Sequence, residues 1–279
     1  ALQQQYAMGI RGGKDQHVYG LSVGYDKNLS GTIGNDNSRL TLNLKNDWNF
    51  LNNRLRLQTG LYLVNGNSNR RTELPSGFSA NYIRLADGQG NPLAVGRGYR
   101  ETFTDGVEEL GLLDWSYYPL AERGNLINEQ EYFDFRGNLG LGYELTKGWT
   151  LDVLYQYWEN SGRSWELNDE RTFYTRDLIN SFTQVGEDGS LSLAVPRGSI
   201  ADLGESRSQS HHLRLQSTLN RIWNERHQVA ALAGAEIKAV DGLANQSRFY
   251  GYDDELGSSL GVDYVTRFRR YHNQSLANA

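Results

Sequence analysis

The segment 139–158, LGLGYELTKGWTLDVLYQYW, decides the fold class of this chain. Leu139, Leu141 and Tyr143 alternate with glycine and glutamate. After a short Thr-Lys-Gly corner, the same alternation resumes over 149–157. A period of two on both sides of a tight corner predicts a β-hairpin with one apolar, aromatic-rich face. Such a face is unexpected in a chain whose mean hydropathy is −0.63.

The composition of the 279 residues narrows the function classes. The net charge of −5 shows no excess of basic residues of the kind that binds nucleic acid. The absence of cysteine excludes disulfides, thiolate catalysis and cysteine metal sites. No apolar run reaches the roughly 18 residues of a membrane helix. A membrane β-barrel would also lack such a run, because only alternate residues of its strands face lipid. The 31 glycines, 17 tyrosines and 6 tryptophans favour twisted strands with interfacial aromatic rings.

Four hairpins and one further strand are predicted from the alternation. The paired segments are 3–12 with 17–27, 38–49 with 54–64, 131–145 with 149–159, and 208–222 with 227–240, and a ninth strand is predicted near 263–271. No segment shows a helical period over ten or more residues. These strands are longer than the roughly five or six residues usual in soluble proteins, and they match the roughly nine to eleven that a tilted strand needs to cross a bilayer.

The connections between the predicted strands alternate in length. The links inside the hairpins are a few residues, whereas the links between hairpins are long. The long links are 28–37, 65–130, 160–207 and 241–262. Outer-membrane barrels combine short periplasmic turns with long external loops, which compact soluble domains seldom do. Aromatic residues flank the short links at Trp48, Phe50, Trp149 and Trp223, where a barrel has an interfacial girdle.

The alternation assigns each strand residue to one of two faces. The predicted lipid-facing set is Leu40, Leu42, Leu44, Leu55, Leu57, Leu61, Leu63, Phe133, Phe135, Leu139 and Leu141, and the predicted lumen-facing set is Arg39, Thr41, Asn43, Lys45, Arg56, Gln58, Tyr62, Asp134, Arg136 and Asn138. A charge at mid-bilayer costs about 2–4 kcal/mol on the lipid face, so charges gather on the other one. A soluble β-sandwich shows the reverse arrangement, with the apolar face as its core. Strand length and loop asymmetry favour an all-β fold that is a portion of an antiparallel transmembrane β-barrel, with about eight or nine of its strands.

Five blocks of sequence carry a family resemblance. They are NYIRLADGQGNPLAV (81–95), GLLDWSYYPLAERG (111–124), TRDLINSFTQ (175–184), VPRGSIAD (195–202) and HHLRLQSTLNRIWNERHQVAALAGAEIK (211–238). In sequence and in order they resemble the barrel of the SusC/RagA-type, TonB-dependent outer-membrane transporters. The blocks are spread over almost the whole chain, and LDWSYYPL and HQVAALAGAE are the most specific.

The resemblance implies one part of a large nutrient importer in the outer membrane of a Gram-negative cell. The family has a barrel of about twenty-two strands, an N-terminal plug, and a TonB box through which the TonB complex energises transport. A SusD-like surface lipoprotein covers the barrel as a lid, and the substrates are oligosaccharides and sometimes peptides. On this interpretation residues 1–279 are a partial barrel domain without the plug and the C-terminal strands, and transport by this segment alone is not expected.

No catalytic residue, metal site or cofactor is predicted. The five histidines are His17, His211, His212, His227 and His272. Adjacent His211 and His212 point to opposite faces of a strand and cannot share one metal ion. No G-x-S-x-G nucleophile elbow occurs, and the acidic turns at 86–91 and 252–257 lack the spacing of a calcium loop.

Aromatic residues in the long links are the candidate substrate-binding residues. Trp165 and Tyr174, in GRSWELNDERTFY, could stack against sugar rings while nearby charged groups bind hydroxyls. Trp115 and Tyr117, in LLDWSYYPL, are weaker candidates, because packing of their loop against the barrel wall explains them better.

Two other functions stay open at the level of sequence. One is a self-contained small outer-membrane barrel that acts as an enzyme or adhesin and folds alone in detergent. The other is a soluble β-sandwich with a carbohydrate-binding role, which would dissolve without detergent.

Overall fold

The computed structural model describes residues 1–71, 82–224, 227–271 and 276–277. Its strands are β1 (Leu2–Lys14), β2 (His17–Leu29), β3 (Asp36–Phe50), β4 (Leu55–Arg70), β5 (Leu126–Thr146), β6 (Trp149–Asn168), β7 (Thr183–Val185), β8 (Leu191–Leu193), β9 (Ser199–Trp223), β10 (His227–Asp253), β11 (Ser258–Leu260), β12 (Phe268–Arg269) and β13 (Leu276–Ala277). The helices are α1 (Glu101–Thr104), a 3₁₀ turn (Val107–Leu110) and α2 (Phe173–Phe182). Within these ranges, no helix is long and apolar enough to cross a membrane.

One antiparallel sheet of nine strands dominates the structure. Its strand order is β1-β2-β3-β4-β5-β6-β9-β10-β11, so neighbours in the sheet are successive long strands of the chain. The fold class is therefore all-β and antiparallel, and the four predicted hairpins are confirmed. The long strands, β1 to β6 with β9 and β10, run from 13 to 27 residues, and we call them the wall.

The short turns gather at one end of the wall. The β3–β4 turn holds Leu51, Asn52 and Asn53 at φ angles of 52°, 55° and 69°, a left-handed conformation that asparagine tolerates better than most residues. The β5–β6 turn depends on Gly148, whose φ is 80° and whose added Cβ would collide with the carbonyl oxygen of Asn220. Such tight turns fix the register of each hairpin, and the long connections lie at the opposite end.

The pairing register keeps the apolar residues on one face. Met8, Val23, Leu42, Leu63 and Phe135 lie opposite one another on the consecutive strands β1 to β5. Because side chains alternate between the two sides of a strand, the rest of the predicted apolar set shares this side, which we call the apolar face. The predicted polar set lies on the other side, which we call the polar face. The division of the wall into two faces is confirmed.

The wall strands are longer than the sequence pattern predicted. β6 continues to Asn168, β9 begins at Ser199 and β10 runs to Asp253, so much of the predicted loops 160–207 and 241–262 is strand. The prediction was wrong because these extensions, such as the SIADLGESRSQS start of β9, carry serine, glycine and charged residues instead of an apolar alternation. Backbone pairing needs no apolar side chain, so the ladder continues past the apolar region.

Two further predictions fail in the later part of the chain. The ninth strand of the sheet is β11 and not a segment near 263–271; β12, inside that segment, pairs with β13 in a separate sheet. The ten-residue helix α2 was not predicted. Its ten residues are fewer than the roughly 11–18 over which a helical period is read from sequence, and several of its polar residues are buried together with the apolar ones.

The buried side chains lie at the loop end of the wall. The segments 82–124, 169–198 and 254–271 fold together over this end, and we call them the cap. One buried cluster contains Val107, Leu112, Trp115, Tyr117 and Phe173, and a second contains Ile179, Phe182, Val195, Ile200 and Tyr250. Ile200 and Tyr250 belong to β9 and β10 and point to the polar side, so the cap leans over the polar face.

Candidate functional site

The candidate site is the part of the polar face that lies next to the cap. Asn128, Glu166, Asp202 and Arg248 are direct neighbours on β5, β6, β9 and β10, because the register sets each opposite the next. The adjoining row consists of Gln130, Ser164, Gly204 and Gln246. Long-range strand pairing thus assembles two rows of mostly amide, hydroxyl and charged groups.

Two sets of contacts order the first row. Nε and Nη2 of Arg248 donate to Oδ1 and Oδ2 of Asp202 at 2.6 and 2.7 Å, a bidentate pair. Nδ2 of Asn128 donates to Oε2 of Glu166 at 2.5 Å, and Nδ2 of Asn168 donates to its Oε1 at 3.3 Å. Throughout the described part of the chain no cation pairs with Glu166, so its negative charge remains available to the site.

A cavity of about 480 Å³ lies against both rows and is lined by all eight of their residues. A second cavity, also about 480 Å³, shares the Gln130 row and extends to Tyr132. A third, of about 690 Å³, starts at Tyr132 and continues across β1 to β4 past Arg39. Because neighbouring cavities share lining residues, they form one polar trough along the wall.

Helix α2 of the cap begins beside this trough. Thr172 caps the helix by accepting a hydrogen bond from the Thr175 N–H. The Phe173 N–H donates to Oε1 of Glu122 at 2.8 Å, so a carboxylate from another cap segment lies at the helix N-terminus. Burial nevertheless raises the pKa of Glu122 above its ordinary value, because desolvation outweighs this hydrogen bond and the nearby arginines.

Tyr174, in the first turn of α2, reaches the trough. It is 40% exposed and interacts with the Arg248–Asp202 pair. Burial raises the pKa of the Tyr174 hydroxyl, so this group is a neutral donor and acceptor at physiological pH. Of the four ligand residues predicted from sequence, Tyr174 is the one beside the trough, and its role in binding stays a prediction.

The other three predicted ligand residues lie elsewhere. Trp115 and Tyr117 are 1% and 4% exposed within the first cap cluster, where Tyr117 packs edge-on against Phe173 with ring centroids 5.3 Å apart. This is the loop-packing role that the sequence also allowed. Trp165 belongs to β6, on the side of the apolar face, with its ring edge-on to Tyr252 at 5.4 Å.

Polar contacts fix α2 to the cap segment 112–117. The Asn180 side chain is almost wholly buried; it accepts from the Leu113 N–H at 2.9 Å and donates to the Leu113 carbonyl at 2.8 Å. Nε1 of Trp115 donates to Oδ1 of Asp177 at 2.8 Å. Because buried polar groups are costly unless they are paired, these bonds hold α2, and with it Tyr174, in one position.

Sequence reasoning missed the row of Asn128, Glu166, Asp202 and Arg248. The signal that could have found these residues is parity: each occupies a polar-face position of its strand when the alternation is extended toward the cap. The sequence does not suggest this longer alternation, because the apolar positions of each strand end before these residues.

The histidines make aromatic and hydrogen-bonding contacts typical of strand residues. His17 stacks on Trp48 at 4.9 Å, and His211 shares a 2.8 Å hydrogen bond with the Tyr155 hydroxyl. On the opposite face, Nε2 of His212 lies 2.9 Å from Oε1 of Glu236. His272 lies outside the described residues. No group of three or more metal-ligating side chains comes together in the described ranges.

No protein-family model matches the sequence, and no curated protein matches it either.

Proposed function

We propose that this chain forms part of the wall of an outer-membrane nutrient importer that takes up oligosaccharides or peptides. In this proposal the apolar face contacts lipid, the polar face lines a water-filled lumen, and the cap lies at the extracellular end, where a SusD-like lipoprotein would dock. Energy would come from the TonB complex acting through a plug. The observation that carries the proposal is the uncovered apolar face of the wall.

The apolar face keeps large exposed side chains along the whole sheet. Met8 on β1 is 69% exposed, Leu139 on β5 is 48% exposed, and Ile237 on β10 is 68% exposed. In the described ranges, the second sheet layer that a β-sandwich would place on this face is missing, since the other sheets have two short strands each. A contiguous apolar surface of this extent marks contact with another apolar phase, and a bilayer is the phase that fits a sheet.

The apolar face also carries two rows of aromatic rings with aliphatic residues between them. The row at the turn end contains His17, Trp48, Phe50, Tyr143, Trp149 and Trp223, and the row toward the cap contains Tyr6, Tyr25, Phe133, Phe135, Tyr155 and Tyr157. The stretch from Trp149 to Tyr157 spans roughly 26 Å at about 3.3 Å per residue, or roughly 20 Å along the normal at a tilt of about 40°. This approaches the band of about 25 Å on outer-membrane barrels.

The strand pairing favours the interpretation that the wall is part of a larger barrel and not a small barrel closed on itself. β1 and β10, the outermost long strands, do not pair with each other in the described ranges. β10 pairs on its free side with β11 only near Tyr250 and Asp253, which leaves most of a 27-residue strand edge open. An open edge inside a bilayer has unsatisfied backbone groups, so further strands would complete the wall.

Spin labelling tests the proposal. The chain contains no cysteine, so single-cysteine variants at Leu42, Leu141, Thr41 and Asn138 each place one nitroxide in the protein refolded in lipid vesicles. We expect the labels at Leu42 and Leu141 to be accessible to oxygen dissolved in lipid, and those at Thr41 and Asn138 to a water-soluble nickel chelate. The reverse accessibility, or a monodisperse protein without detergent whose Leu42 label is dry, would show that the apolar face is a soluble core.

A further inference from the structure

We propose that the cavity lined by the Asn128–Arg248 row and the adjoining Gln130–Gln246 row is a binding subsite for uncharged polyhydroxylated ligands and that it disfavours anionic ones. The position of this subsite inside a transport lumen rests on the proposed function, whereas its binding chemistry does not.

The cavity has the dimensions of a small-molecule site. Its volume of about 480 Å³ lies within the range of about 300–1,000 Å³ found for ligand pockets. Gly204 leaves its floor open, since a side chain there would occupy part of the cavity and displace Oγ of Ser164, which would lie 2.5 Å from the added Cβ. The strand register and the bidentate Arg248–Asp202 pair fix the lining, so the site is largely preformed.

The lining matches hydroxyl groups. Asn128, Gln130 and Gln246 each present an amide that can both donate and accept, and Ser164 adds a hydroxyl. A sugar-like hydroxyl also donates and accepts, so neighbouring hydroxyls can satisfy these groups in pairs.

The charges explain the discrimination. The positive charge of the Arg248 guanidinium is already balanced by the carboxylate of Asp202, which accepts from its Nε and Nη2, so an anionic ligand gains little net attraction from Arg248. Glu166 adds a carboxylate without a cationic partner. The three charged groups of the lining therefore sum to one negative charge, which repels uronates and sulfated sugars.

Calorimetric titration of the full chain, folded in detergent micelles, tests this proposal. The probes are three neutral trisaccharides (maltotriose, cellotriose and mannotriose), the anionic trisaccharide trigalacturonate, and trilysine as a cationic control. We expect at least one neutral probe to bind about tenfold more tightly than trigalacturonate, the ratio that one hydrogen bond to a charged group provides. Failure of all three neutral probes to bind, or equal or tighter binding of trigalacturonate, would overturn the proposal. Trilysine, which the net negative charge attracts, measures the electrostatic contribution alone.

Three variants locate the binding on the polar face. Gly204→Val fills the floor and is expected to abolish binding of the neutral probe, and Glu166→Gln is expected to reduce the preference over trigalacturonate severalfold. Asp241→Asn removes an exposed carboxylate on the opposite side of β10, at a position that lines none of the three cavities, so it should leave both affinities unchanged. Unchanged binding in Gly204→Val, with the circular dichroism spectrum of the parent chain retained, would place the ligand elsewhere.

The outcome separates the two proposals. Neutral-ligand binding at this cavity with a water-exposed Leu42 label would support the subsite and reject the membrane wall. A lipid-exposed Leu42 label without binding of any neutral probe would leave the wall intact and reject the subsite.

Discussion

The cap and the wall use apolar side chains in opposite ways. In the cap, Trp115, Ile179 and Phe182 are each 1% exposed. In the wall, Met8 and Leu139 are 69% and 48% exposed. The wall is nevertheless the more regular part, because each of its long strands pairs with the next long strand from β1 to β10. A water-excluded core therefore shapes the cap, whereas backbone pairing shapes the wall.

This difference indicates which solvent each region was selected for. The cap follows the rule of soluble domains, in which large apolar residues are buried and buried polar groups are paired. The wall breaks this rule on its apolar face, where large apolar side chains stay exposed across its full width. The cap is packed like a soluble domain, whereas the apolar face of the wall is uncovered. This contrast fits a protein whose cap meets water and whose apolar face meets another apolar phase.

Truncation of Trp115 should produce the largest effect and confine it to the cap. Trp115→Ala removes a fully buried indole and its hydrogen bond to Asp177, and we expect a loss of about 3–5 kcal/mol in the stability of the cap. Amide hydrogen exchange read by mass spectrometry would show this loss in peptides from 100–124 and 172–184. Peptides from β1 to β4 should keep the protection of the parent chain.

Tyr82→Ala is the matched control, because Tyr82 lies in the cap but is 98% exposed. It should change exchange rates little in any peptide. If Trp115→Ala accelerated exchange equally in the wall, the cap and the wall would be one cooperative unit, and the contrast between them would not hold.

An arginine placed on the two faces should produce the next largest effect. Leu44 lies on the apolar face between Trp48 and Tyr25, and adjacent Asn43 lies on the polar face. Leu44→Arg should destabilise the chain in vesicles by about 2–4 kcal/mol, because the guanidinium would sit in hydrocarbon. Asn43→Arg should cost much less, because that position borders water.

The difference between the two arginine variants is the informative quantity. Urea titration of the folded fraction in vesicles, followed by tryptophan fluorescence, measures it for both. Equal stability of the two variants would mean that the two faces meet the same medium, and a larger loss for Asn43→Arg would make the polar face the buried one.

Much of the wall could be predicted from the sequence because strand periodicity is local. Residues 139–158 show both arms and the corner of one hairpin, and the structure confirms that hairpin and its apolar side. The extensions of β9 and β10 could not be predicted, since Ser206 and Ser208 gain their strand conformation from pairing with distant partners. Tertiary pairing, rather than propensity, decides these segments.

The candidate site was less predictable than the wall. Glu166 and Asp202 lie on different hairpins, and only the register of β6 with β9 makes them neighbours. Helix α2 places Tyr174 beside Asp202, and α2 itself is shorter than the roughly 11–18 residues over which a helical period is read from sequence. The loop aromatics could be predicted as candidates from the sequence. Only the assembled cap shows that Trp115 is buried and that Tyr174 is exposed.

The pH dependence of the cap should be the smallest effect. Burial raises the pKa of Glu122 above its ordinary value of 4.5, although the Phe173 N–H and Arg176 favour the charged form. The folded cap therefore holds this proton more tightly than the unfolded cap does. The contribution of Glu122 to cap stability is complete below pH 4.5 and is lost as the pH rises through the raised pKa.

Glu122→Gln removes this pH dependence and should keep the helix contact, because the glutamine oxygen can still accept from the Phe173 N–H. We expect the variant cap to be at least as stable as the parent at neutral pH and to lack the parent's decline between acid and neutral pH. The urea midpoint for proteolysis within the cap, measured at several pH values, reports this slope, and Glu108→Gln at an exposed cap position should leave it as in the parent. A variant that is less stable than the parent at neutral pH would show that the charge of Glu122 at the start of α2 stabilises the cap more than its burial destabilises it, and the sign of the pKa shift would then have to be reversed.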